Sequence, residues 1–143
     1  MTLSGYYKKA IFYPSIIIIL FTIVFSIIDN YDYKSEWLTA DSAISLSILT
    51  ALFYCLIVSL LSLTIFLNKF KKIKESKTLT FLCWFLLPFG FITIVFIHEI
   101  NFKLKYQEKF GDDFVYVIIL NIPFVLGIIW SYLKYRKMNC GQK

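Results

Sequence analysis

Arginine is almost missing from this 143-residue sequence: Arg136 stands alone among 15 basic residues, the rest being lysine. Arginine is the side chain that forks onto phosphate and carboxylate. Its scarcity argues against a nucleic-acid partner, although the net charge is +6. Histidine occurs once, as His98, followed by Glu99. A helical HExxH zinc site would need a second histidine where Phe102 stands, so that protease chemistry is excluded. The three cysteines, Cys55, Cys83 and Cys140, form no CxxC pair and have no metal-ligand spacing. They read as free thiols in a reducing compartment. The ending Cys140-Gly141-Gln142-Lys143 is not a prenylation box. A Gly-rich phosphate loop, carboxylates paired within an apolar stretch and an arginine-rich voltage sensor are also lacking. The expectation is a protein without cofactor, metal or catalytic residues.

Charge is lacking in a more informative way. Four stretches, 10–28, 42–68, 78–98 and 114–133, contain no Asp, Glu, Lys or Arg, and every charged residue lies outside them. Each is close to the roughly 20 residues that cross a hydrocarbon core of about 30 Å. A charge at mid-bilayer costs about 2.5–3.5 kcal/mol on insertion scales, so the exclusion has a direct physical cause. What is present fits: 59% hydrophobic and 17% charged residues, against about 45–50% and 25% in soluble domains. Residues 1–143 are expected to form a single all-α integral membrane domain, an antiparallel four-helix transmembrane bundle with short inner and longer outer connections. The first stretch is too long for a signal-peptide core and lacks a small-residue cleavage site; it reads as a retained anchor. The second must tilt or project.

The flanking charges fix an expected orientation. Successive segments carry +2 (Lys8, Lys9), −3 (around Lys34), +4 (Lys69–Lys77), −1 (around Lys103) and +4 (Lys134–Lys143). Lysine and arginine gather on the cytoplasmic side of membrane proteins, which puts both termini and the middle loop inside. The localisation expected is a bacterial cytoplasmic (inner) membrane. Tyr6, Tyr7, Tyr13, Tyr31, Tyr33, Trp37, Trp130, Tyr132 and Tyr135 crowd the ends of the stretches, as an interfacial aromatic belt does.

Thr22-Ile23-Val24-Phe25 recurs as Thr93-Ile94-Val95-Phe96 at an offset of 71 residues. This echo suggests a tandem two-helix repeat. Residues 30–34 and 100–105 alternate apolar with polar, which suggests a very short strand pair between the outer loops. The competing reading is continued helix, with Glu99 and Lys103 as an i,i+4 pair. Asp41-Ser42 and Asp112-Asp113 fit as N-caps.

Two candidate sites emerge. Pro88, Asn121 and Pro123 fall near mid-membrane, and broken helices at that depth mark binding sites in transporters; the commoner explanation is kinking, with Asn121 bonding across a helix interface. His98, Glu99, Tyr31, Tyr33, Trp37 and Phe102 would form an outer contact face. The serines of the second stretch, Ser45, Ser59 and Ser62 among them, read as a helix-packing surface. The function expected is that of a non-catalytic multi-pass membrane protein acting through protein contacts, as an accessory subunit or as an immunity-type protein against a membrane-acting toxin. The alternative is a small transporter or channel subunit with a polar site near Asn121. Expected partners are the lipid bilayer and a protein, either a different chain or a second copy.

Overall fold

The computed structural model describes residues 2–29, 39–106 and 112–140. We number the helices α1 (Leu3–Asp29), α2 (Ala40–Lys69), α3 (Lys71–Glu75), α4 (Lys77–Tyr106) and α5 (Asp112–Cys140). Among the described residues there is no strand. Residues 100–105 continue α4, and Glu99 meets Lys103 one turn on at 3.8 Å. The alternation there is overridden by helix propagation; residues 30–34 lie outside the described residues. Because α4 extends so far, only residues 107–111 separate it from α5. That connection is shorter in sequence than the one at 70–76, whereas the one between α1 and α2, at 30–39, is longer.

Four helices are long and apolar enough to cross a membrane, and only 22–28% of the apolar stretch in each is buried inside the protein. Large apolar side chains such as Leu20, Leu56, Leu86 and Leu126 face outward. Small and polar ones face inward, including Ala10, Thr22, Ser26, Ala51, Ser62, Thr80 and Ser131. Monomeric soluble proteins keep exposed apolar patches to a few hundred Å². This apolar outer surface, around a core that also holds Trp84 and Phe124, points to a helical membrane protein.

The helices form a ring. Each long helix packs on its neighbours in sequence, and α5 returns to α1. Neighbours run antiparallel: Tyr7, early in α1, bonds Ser59, late in α2, and Thr64, late in α2, bonds the Cys83 carbonyl, early in α4. Apart from Ile11, the buried residues of α1, namely Tyr6, Ala10, Pro14, Ile18, Thr22 and Ser26, recur every fourth residue. Such a row slants across the helix surface, so α1 crosses its neighbours obliquely. Thr80, Trp84, Pro88 and Ile92 do the same on α4. The sequence echo is out of phase with this pattern: Thr22 is buried, whereas its counterpart Thr93 is exposed and Ile92 is the buried residue.

Local chemistry explains several departures from a plain helix. Pro14 has no N–H to return to the Ala10 carbonyl. Residues Lys8–Phe12 are wound as a π-helix, with the Tyr13 N–H reaching back to the Lys8 carbonyl. The last turns of α2, Ser62–Lys69, are 3₁₀. Side chains three apart eclipse in that winding, which keeps Ser62, Ile65 and Asn68 on one buried face. It also lengthens the segment by about 4 Å over α-winding, at about 2.0 rather than 1.5 Å per residue. Helix α2 begins earlier than expected. Thr39 is its N-cap, accepting from the Ser42 N–H, and Asp41 sits inside the first turn. Threonine can cap as aspartate does, so the Asp41-Ser42 reading missed the cap by two residues.

Two expectations about surface residues change. Ser45 is exposed and donates to the Asp41 carbonyl at 2.7 Å, so only Ser59 and Ser62 belong to the packing face. Tyr6 and Tyr135 are core residues, 2% and 5% exposed. They pack edge-on at 5.6 Å between ring centroids, and both lie against Trp84. Tyr13 and Trp130, at 54% and 70%, do face outward as an aromatic belt requires.

Helix α5 approaches α1 closely at Gly127. A Cβ at Gly127 would lie 2.8 Å from both the Ala10 carbonyl oxygen and the Pro14 ring, whereas one at Gly90 would meet nothing within 4 Å. Gly127→Ala should cost about 1–3 kcal/mol through overpacking. Gly90→Ala should be neutral, or stabilise by up to about 1 kcal/mol through helix propensity. Unfolding in mixed micelles checks the pair.

Candidate functional site

Away from the lysine-rich end, the centre of the ring is polar. Asn121, 4% exposed on α5, and Tyr54 on α2 belong to helices that face each other across the diagonal. The Tyr54 hydroxyl donates to Asn121 Oδ1, and Asn121 Nδ2 donates to the Val117 carbonyl at 2.7 Å. The second bond anchors the amide to its own helix; the first ties the two helices together. Tyr54 also packs on Phe124 and Phe91, with ring centroids 6.2 and 5.7 Å away. Such aromatic pairs add about 0.5–1.5 kcal/mol beyond area burial.

Beside this pair lies a half-enclosed cleft of about 360 Å³, walled by α2, α4 and α5. Its polar wall is Ser47, Thr50, Tyr54 and Asn121; Val95 and Leu120 are among its apolar residues. Ser47 Oγ donates to the Ala43 carbonyl at 3.1 Å and Thr50 Oγ1 to the Leu46 carbonyl at 2.9 Å. Serine and threonine commonly satisfy themselves this way within a helix, which lets them sit in an apolar stretch without a partner helix.

The proline and asparagine residues expected near one another do not share this cleft. Pro88 is fully buried in α4, and Pro123 lines a separate apolar recess of about 210 Å³ with Phe21 and Leu120. Both prolines sit inside continuous helices. At the end of the ring opposite the α3 lysines His98 and Phe102 are exposed, and Glu99 is half-buried beside Lys103. Tyr31, Tyr33 and Trp37 lie outside the described residues. Among the described residues no group of three His, Cys, Asp or Glu comes together that could hold a metal ion. The sequence reading missed Tyr54. Its signal was its place near the middle of a charge-free stretch, where a tyrosine hydroxyl needs a partner.

Comparison with protein-family models, with curated proteins and with solved structures finds no match to this chain.

The Tyr54–Asn121 bond should behave as a brace. Tyr54→Phe and Asn121→Leu are each expected to destabilise the protein, with a coupling of about 0.6–1.7 kcal/mol in a double-mutant cycle. Additive effects would show that the two side chains are held independently.

Proposed function

We propose that the protein is a multi-pass protein of the bacterial cytoplasmic membrane, with both termini cytoplasmic, that acts through contacts with another protein rather than by catalysis. The observation that carries this reading is the use made of the interior polar groups. Tyr7 with Ser59, Tyr54 with Asn121, and Thr64 with the Cys83 carbonyl all join one helix to another. These hydroxyls and this amide serve the assembly of the bundle. The orientation rests on charge: Lys8, Lys9, the lysines of α3, Lys134, Arg136 and Lys137 fall at one end of the ring. That end belongs on the cytoplasmic side. The exposed His98 and Phe102 make the opposite end the contact face, and Tyr31, Tyr33 and Trp37, in the segment between α1 and α2, are assigned to it from sequence. A toxin acting in the same bilayer, or a larger membrane complex, is the kind of partner this face would meet.

A photoreactive residue placed at Phe102 in cells should form a discrete cross-linked adduct, whereas one at the lipid-facing Leu86 should not. A phosphatase reporter fused after Met138 should be inactive, as a cytoplasmic one is. No adduct from the outer face would sink the contact reading, and an active reporter would sink the orientation. The cleft beside Asn121 favours a second reading, a small transporter subunit. Solute uptake by reconstituted protein that is lost in Asn121→Leu would replace the first reading with this one.

A further inference from the structure

The hydroxyls that line the cleft between α2, α4 and α5 have spent their protons. Ser47 and Thr50 donate to their own helix, and Tyr54 donates to Asn121. A hydroxyl offers one proton and two lone pairs. The three oxygens therefore present acceptors to the cleft. They stand at positions 47, 50 and 54, which is i, i+3 and i+7 on one face of α2. The two Asn121 bonds use one of its two amide protons and one of the two lone pairs on Oδ1. Among the described residues the remaining wall is apolar, including Val95 and Leu120, and none that lines it is charged. A charge brought into such a site would be desolvated without a counter-ion.

We propose that this cleft binds an uncharged amphiphile through its hydroxyl end, the single O–H proton going to the Thr50 oxygen, the middle one of the three, and the apolar body lying against Val95 and Leu120. The volume, about 360 Å³, falls at the low end of the roughly 300–1,000 Å³ typical of ligand pockets. A short-chain alcohol or the glycerol end of a single-chain neutral lipid has the required chemistry. This assignment is independent of the contact role proposed above.

The test uses the full chain in lipid nanodiscs and a diazirine-bearing octanol as the probe, with labelled residues read by mass spectrometry. Saturable labelling of Val95, Leu120 or Tyr54 is expected. Octanol added from water, or monoacylglycerol supplied in the nanodisc lipid, should displace the label, and whichever does so identifies the source. Octane, octylammonium and octanoate should not. Thr50→Val keeps the side-chain shape and removes one acceptor; it should weaken displacement by roughly tenfold, as the loss of one ordinary hydrogen bond implies. Val95→Trp should fill the cleft and abolish the label. Labelling spread evenly over the lipid-facing Leu52 and Leu56, displacement by octane or the charged analogues, or an unchanged Thr50→Val would each overturn the assignment.

Discussion

Lipid gives helices no hydrophobic reason to associate, because acyl chains are as apolar as leucine. Everything that holds this ring together must come from close packing and from hydrogen bonds that lipid cannot offer. The contact of Gly127 with the Ala10 carbonyl and the Pro14 ring is where that constraint acts most directly. Helix α5 must return to α1 to close the ring, and a glycine lets the two backbones meet. Proline on the facing helix contributes twice: its ring is the surface Gly127 meets, and its missing N–H lies next to the π-wound turn that carries Ala10. The other links follow the same logic at greater separation, with Tyr7–Ser59 joining α1 to α2 and Thr64 joining α2 to α4.

The hydrogen-bonded hydroxyls of the helices fall into two populations. One population bridges helices. The other turns back on its own helix, as Ser47, Thr50 and Ser62 do. Self-satisfied hydroxyls cost little in an apolar medium and hold nothing. Where several share a cavity wall, as at Ser47 and Thr50, they leave a surface of lone pairs. The ring thus carries, between α2, α4 and α5, a cleft whose wall differs in chemistry from the lipid-facing surface. At the lysine-rich end the aromatic residues Tyr6, Trp84 and Tyr135 fill the interior instead. There Tyr6 and Trp84 span the other diagonal, between α1 and α4.

The helices were legible in the sequence because the cost of burying charge in lipid writes itself into runs without Asp, Glu, Lys or Arg. The limits of the runs were not the limits of the helices. Helix α1 takes in Lys8 and Lys9, and α5 takes in Lys134, Arg136 and Lys137, since a charged side chain is welcome on a helix once it has left the hydrocarbon. Asn121 was identified by its depth, and its partner was not, because a diagonal contact between α2 and α5 has no sequence spacing to reveal it. Tyr6 and Tyr135 looked interfacial by position; their burial is a property of three packed helices and not of any one segment. The echo at Thr22 and Thr93 failed to mark equivalent places because burial depends on helical phase, and the match is one residue out of phase.

The claim on which all this rests is that the outward faces of the four long helices meet lipid. Spin labels placed singly at Leu20, Leu56, Leu86 and Leu126, with the native cysteines replaced and the protein in nanodiscs, measure that directly. The account predicts that all four labels collide with dissolved oxygen and are shielded from a water-soluble paramagnetic reagent. Ready collision with the water-soluble reagent at any of these positions would contradict it.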